Sequence, residues 1–238
     1  MSHTVHPYSH RLGIIRDWKS RWFGAKNKYT EYLRGDVVIR SFLEKKLRGM
    51  YVSVVEIERN EKMLRIIVDT SRPGVLIGRS GEGAVKLKEE IVKVMKKRGV
   101  YSGKEEVKLD IREVRSPESS AQIVGQMIAE GLEKRITFRR VMKQMVEKVM
   151  ANRDAEGVRI ILSGRLGGAD MARKEELKKG RIPLQTLRAD IDFARVTARL
   201  PYGAIGIKVW IYRGQVFTDR KKNQAEVTSN TTGRVARN

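Results

Sequence analysis

The stretch Val75–Ala84, reading Val-Leu-Ile-Gly-Arg-Ser-Gly-Glu-Gly-Ala, constrains the fold of this chain more than any other. A short apolar run ends in two glycines three apart, and an amphipathic helix follows. At about 100° per residue, Val85, Leu87, Ile91, Val92, Val94 and Met95 share one half of the wheel. Lys86, Glu89, Glu90, Lys93, Lys96 and Lys97 take the other half, and Gly99 stands where a C-cap glycine belongs. Glycines at 78 and 81 permit positive φ and remove the Cβ atoms from the outside of the turn. A nucleic-acid backbone can then approach Arg79, the Ser80 hydroxyl and the N–H groups that open the helix. Gly-x-x-Gly is also the spacing of an ordinary tight turn, so the motif taken alone favours the plainer reading. A Walker A loop is excluded, because Ala84 and Val85 stand where Lys and Ser/Thr must meet phosphate and magnesium. No Gly-x-Gly-x-x-Gly opens a helix here, so a dinucleotide fold has no support.

Charge narrows the partners. Across 238 residues, 50 Lys and Arg face 28 Asp and Glu, a net charge of +22. Self-repulsion of that size destabilises a compact state unless a polyanion screens it, and nucleic acid or an anionic membrane surface would do so. No run approaches the roughly 18 apolar residues of a membrane span, and Met-Ser-His-Thr-Val-His-Pro lacks the apolar core of a signal peptide. Zero cysteines exclude disulfides and thiolate zinc sites and fit a reducing cytosol. Hydrophobic residues make up 40%, enough for real cores.

Along the chain, residues 1–27 form a basic N-terminal segment in which Arg11, Arg16, Lys19, Arg21 and Lys26 interleave with Trp18, Trp22 and Phe23. That mixture suits RNA through phosphate pairing and base stacking; Trp residues serving as core are an equal alternative. His3, His6 and His10 lack a carboxylate or Cys to complete a metal set. Residues 28–115 read as a first domain. A helix from Lys28 to Leu47 places Tyr29, Tyr32, Leu33, Val37, Phe42, Leu43 and Leu47 roughly on period. Strands at Val52–Glu58 and Met63–Asp69, a helical turn at Pro73, the glycine loop, the helix to Arg98 and a strand at Val107–Arg112 follow. That succession is the type II KH arrangement, whose Gly-x-x-Gly loop clamps about four nucleotides, and it turns the clamp reading of Gly78, Arg79, Ser80 and Gly81 into the favoured one.

Ser116-Pro117-Glu118 opens a second domain, 116–214, since Ser before Pro is a helix-start signature. Its first helix runs from Glu118 to Lys134. On the second, Thr137–Asn152, the residues Phe138, Val141, Met142, Met145, Val146 and Val149 occupy an arc from roughly 200° to 340° with Arg139 at zero. Arg139, Arg140 and Lys143 point away from that arc with no acid between them. A plain solvated face explains such a trio; a fixed comb that holds nucleic-acid phosphates also does. A strand at Val158–Ser163 leads through Gly164-Arg165-Leu166-Gly167-Gly168 into an expected helix, Ala169–Lys179, carrying Arg173, Lys174, Lys178 and Lys179. Strands near Leu187–Ala198 and Ala204–Tyr212 follow, and 215–238 reads as a flexible basic tail. The fold class is α+β, with an N-terminal type II KH domain and a second α+β domain of two helices and a small antiparallel sheet.

Ser163-Gly164-Arg165-Leu166-Gly167-Gly168-Ala169-Asp170, Pro183-Leu184-Gln185-Thr186-Leu187-Arg188-Ala189-Asp190-Ile191-Asp192 and Gly206-Ile207-Lys208-Val209-Trp210-Ile211 closely resemble the C-terminal domain of the bacterial-type family of the third protein of the small ribosomal subunit. The KH unit and the opening His6-Pro7, Arg11-Leu12-Gly13-Ile14, Trp18 and Trp22-Phe23 resemble it too, so the likeness spans residues 3 to about 214. The resemblance implies a cytoplasmic, ribosome-bound structural protein of the subunit head. Its partners would be ribosomal RNA, neighbouring head proteins and messenger RNA at the entry tunnel, with no membrane, cofactor or enzymatic step. It implies messenger contacts by Arg139, Arg140 and Lys143, where a basic helix of the family helps to separate paired strands. Arg11, Lys19, Arg21, Trp22, Lys26, Lys28, Arg165, Arg173, Lys178 and Lys179 are the candidates for ribosomal RNA. Tyr8-Ser9-His10 replaces the usual Ile-Gly-Phe-like residues, and Gln144 stands where a further basic residue often occurs. Two readings of other classes are a free KH regulator of RNA, which leaves the second domain unexplained, and a nucleic-acid lyase acting through a lysine Schiff base, for which no particular lysine stands out.

Overall fold

A computed structural model of the chain describes residues 5–25, 27–60, 62–100 and 106–217. Lys26, His3 and the tail beyond Phe217 lie outside the described residues, so the expectations placed on them are left there. The first sheet runs in the order β1 (Ser20–Arg21), β2 (Val52–Arg59), β3 (Met63–Thr70), β4 (Glu106–Glu113). β2 and β3 form an antiparallel hairpin, while β3 and β4 are parallel. A parallel pair needs a crossover, and α3 (Pro73–Ile77) and α4 (Glu82–Lys97) supply it, with the glycine loop between them. α4 buries Leu87, Ile91 and Met95 against Ile57, Leu64, Ile66 and Val68 of the sheet.

α2 (Asn27–Lys46) closes the same core with Ile39 and Leu43, joined by Leu47 just past its end. The periodic set expected on it is only partly buried. Tyr29, Leu33 and Val37 are exposed, Tyr29 keeping a ring contact with Trp22 at 5.2 Å, while the inward positions of the first half are taken by Gly35 and Asp36 beside Arg59.

The second sheet is antiparallel throughout, in the order β6 (Arg173–Gly180), β5 (Gly157–Gly164), β8 (Gly203–Gln215), β7 (Ala189–Leu200). α5 (Ala121–Glu133) and α6 (Phe138–Ala151) cover one face. The helix expected at 169–179 is instead β6. Its Lys, Glu and Leu favour helix intrinsically, but pairing with β5 over eight rungs, Gly157 to Gly180 through Gly164 to Arg173, outweighs that preference. Leu177 sits opposite Ile160 and packs on the helix side, while the remaining charged residues guard the edge against further strand addition.

Residues 6–21 strap the two halves together. β1 pairs in parallel with β2, and α1 (Pro7–His10) lies on β7. Arg11 is fully buried, donating to the carbonyl oxygens of Pro7 at 3.0 Å, Leu184 at 2.9 Å and Thr186 at 2.9 Å. Arg16 pairs with Asp190 at 2.5 Å, and the His6 ring stands edge-on to Phe193 at 4.7 Å. A second seam joins β2 to α5. There Gln126 donates to the Val52 carbonyl at 3.1 Å, Ser53 and Ser120 share a hydroxyl bond of 2.7 Å, and Tyr51 meets Glu130.

Candidate nucleic-acid interface

The glycine loop has the backbone that its sequence requires. Gly78 and Gly81 take φ of +69° and +81°, and Ser80 between them is left-handed at +51°. A non-glycine residue there is strained by roughly 1–2 kcal/mol, and the neighbouring glycines let the chain reach that turn. Gly81 caps α4 without any side-chain hydrogen bond, so the first N–H groups of the helix lack a side-chain acceptor and suit an anion. Arg79 is exposed and makes no ion pair among the described residues. Val75, Ile77 and Val85 line the flanks with exposed apolar surface.

Gly83 is a determinant of this loop that the motif does not include. A Cβ there would sit 2.6 Å from the Leu76 carbonyl oxygen and 2.9 Å from that of Ile77. Only glycine lets α3 and α4 come this close and hold the loop at its angle. A glycine in the first turn of an otherwise good helix costs about 1 kcal/mol, and that oddity was the sequence signal available for it.

α6 follows its wheel. Val141, Met142, Met145, Val146 and Val149 are buried, and Phe138 packs at their edge. Arg139, Arg140 and Lys143 are exposed and together border a shallow surface hollow with Thr137, Gln144 and Glu147. The rod is anchored by its apolar arc, so the three cations project from a rigid base. An acid absent from the helix's own wheel reaches them from β6: Glu175 lies 3.7 Å from the Arg139 Nε, although the Arg139 side chain stays 73% exposed. Exposed pairs of this kind contribute at most about 1 kcal/mol, so a phosphate can displace Glu175.

The remaining candidates divide. Arg11 is withdrawn from any outside partner, since its guanidinium is enclosed by carbonyl oxygens. Trp22 donates its Nε1 to Asp36 at 2.8 Å and packs on Tyr29 and Tyr32, an internal contact rather than a platform for bases. Arg21 bridges Asp17, Glu56 and Glu58. Lys19 sits 4.9 Å over the Tyr8 ring. Arg165 braces its own turn through the Ala169 carbonyl at 2.9 Å and Asp170 at 3.2 Å. Arg173 bonds Glu175 and lies over Phe138, which places it beside α6. Lys28, Lys178 and Lys179 are exposed. Lys178 and Lys179 fall on opposite faces of β6, so they do not form one site.

The fold and this basic surface define a class: a KH domain coupled to a second, antiparallel α+β domain. The KH domain family model matches residues 38–119, and the model for ribosomal protein S3, C-terminal domain, matches residues 128–211. Relatives named small ribosomal subunit protein uS3 match nearly the full length. The one from Caldicellulosiruptor saccharolyticus is 45% identical over 92% of this chain and 96% of its own. The Clostridium novyi protein is 41% identical over 96% of this chain and 100% of its own, and that of Parvibaculum lavamentivorans is 46% identical over 91% and 88%. The chain belongs to the uS3 family of small ribosomal subunit proteins.

Proposed function

We propose that the chain is a structural constituent of the small ribosomal subunit of the cytoplasmic ribosome, acting by binding rather than as an enzyme. Ribosomal RNA and neighbouring head proteins are its permanent partners, and messenger RNA passes along α6. The observation that carries the messenger reading is the geometry of α6: an apolar arc fixed in the core, with Arg139, Arg140 and Lys143 held outward on a rod that cannot yield. Fixed cations hold the phosphates of an incoming strand while particle movement supplies the work, so no nucleotide pocket is required. The glycine loop, with Gly78, Arg79, Ser80 and Gly81, adds a phosphate clamp, and the exposed cations Lys28, Arg173, Lys178 and Lys179 supply sequence-independent contacts to ribosomal RNA.

Replacing Arg139, Arg140 and Lys143 together by Ala tests this. Translation through a stable messenger hairpin slows, while an unstructured messenger is read at the normal rate. Equal slowing on both templates would remove the strand-separation role.

A further inference from the structure

The second sheet has a face that the helices do not cover. Part of it is closed: the Arg159 guanidinium lies 5.1 Å over the Trp210 ring, Phe193 stacks 5.0 Å from Trp210, and Ile182 and Leu184 pack on that patch. The neighbouring part is open. The register sets Arg195 of β7 directly opposite Lys208 of β8, and two rungs further, on the same face, sets Thr197 opposite Gly206, which pairs in turn with Ser163 and, across β5, with Lys174. Lys174, Arg195, Thr197 and Lys208 are all exposed, and none of the three cations makes an ion pair among the described residues.

This arrangement works against folding. Like charges directly opposite on paired strands destabilise a sheet. The acid on the same rungs, Glu176, is already bound to Arg159 at 2.8 Å, which holds its carboxyl below the usual range. The excess also reaches the strap. Burial first, then the charges of Lys19 and Arg195, hold the His6 imidazole below its ordinary value. An uncompensated cation pair on a rigid sheet is relieved by an anion from outside. Gly206 carries no side chain, so the floor between the cations is low, and the Thr197 hydroxyl stands beside it as a donor. Among these open positions there is no large apolar side chain to anchor a lipid surface or a protein core, whereas a phosphate chain needs only cations, hydroxyls and room.

We propose that this open half of the sheet, with Arg195, Lys208 and Lys174, is a second RNA-binding face that holds a phosphodiester backbone on the side of the sheet opposite α6. The proposal rests on the reading of the chain as an RNA-bound ribosomal constituent, and it assigns a place on the molecule that neither the glycine loop nor α6 accounts for.

The test uses the full chain carrying Arg195→Gln and Lys208→Gln. Removing the opposed charges raises the midpoint of thermal unfolding of the free protein by about 1–4 °C. The same change flattens the dependence of log affinity for small-subunit RNA on log salt by about 1.5, near 0.7–0.9 for each lost cation. Opposite signs on stability and binding are the signature, since a merely structural pair would lower both. A photo-crosslinker on Thr197→Cys, a unique thiol because the chain has no cysteine, then captures RNA in assembled subunits, and sequencing the captured RNA separates ribosomal from messenger sources. An unchanged salt slope, or crosslinks to protein alone, overturns the proposal. Absence of the chain from small subunits would instead sink the ribosomal reading, while the salt slope of the free protein would still report on this face.

Discussion

Arg11 offers the sharpest check on how the two domains are held. Its guanidinium makes three hydrogen bonds of 3.0 Å or shorter, to the carbonyl oxygens of Pro7, Leu184 and Thr186, with a weaker fourth to Pro183 at 3.4 Å. Hydrogen bonds from a charged donor contribute about 1.5–3 kcal/mol each. Arg11→Met keeps most of the volume but leaves those acceptors facing a thioether. It also removes the desolvation cost of a buried cation, which is several kcal/mol. The difference is a net loss of about 3 kcal/mol, the usual scale for breaking a buried polar network. For a chain of this size that lowers the thermal midpoint by roughly 6–12 °C, and scanning calorimetry reads it directly. Because the strap is what couples α1 to the 183–186 segment, the single transition also splits or broadens. Arg11→Lys separates geometry from charge: a point charge cannot span three carbonyls as a planar fork does, so Lys is nearly as damaging as Met. A wild-type melt for Arg11→Met, together with a weaker salt-dependent affinity for RNA, would mean that Arg11 faces RNA and that the buried placement is wrong.

Three further outcomes are expected. In Gly83→Ala the new methyl meets two backbone oxygens that cannot move cheaply. Overpacking of about 1–3 kcal/mol against a helix-propensity gain of about 1 kcal/mol leaves a small net loss. The displaced loop lowers RNA affinity several-fold in a filter-binding titration, while Gly74→Ala, whose Cβ would touch nothing within 4 Å, leaves affinity unchanged; equal affinities for both variants would detach the loop from RNA. His6 has its pKa lowered by burial and by Lys19 and Arg195, and its Nδ1 accepts the Tyr8 N–H at 3.2 Å. Its neutral form is favoured in the fold, so its share of stability is complete above about pH 6.5 and is lost as pH falls below that value; urea melts of His6→Gln lack that component, and an identical pH profile for both proteins would contradict it. Trp22→Phe loses the bond to Asp36 and costs about 1–2 kcal/mol in urea melts, with RNA affinity unaltered; a loss of affinity at full stability would restore Trp22 as a stacking platform.

Helices α4 and α6 were legible in the sequence because a buried arc and a charged arc repeat at 3.6 residues, and the hairpin β2–β3 because its residues alternate. The strand β6 was not legible, since its partner supplies the reason for its conformation and its composition argues for a helix. Arg11 and Trp22 were read as RNA contacts because a basic residue beside an aromatic looks the same whether its partner is a phosphate or a carbonyl. Apart from Pro7, the acceptors of Arg11 lie 172 to 175 positions further along the chain, which no local pattern announces. The exposure of Tyr29, Leu33 and Val37 on α2 had the same origin: periodicity shows which residues share a side, and distant neighbours decide which of them find cover, here the polar Asp36 beside Arg59. At the candidate site, the outward direction of Arg139, Arg140 and Lys143 was readable from the wheel, whereas the acid arriving from Glu175 was not.

The central claim is that α6 faces messenger RNA, and the absence of cysteine gives it a direct test. An iron chelate tethered at Gln144→Cys, beside Lys143 on the exposed side of the helix, generates hydroxyl radicals within reach of whatever passes that surface. In programmed, translating ribosomes the account predicts cleavage of the messenger on its incoming side, moving by three nucleotides with each translocation step. Cleavage confined to ribosomal RNA, with the messenger intact, would contradict it.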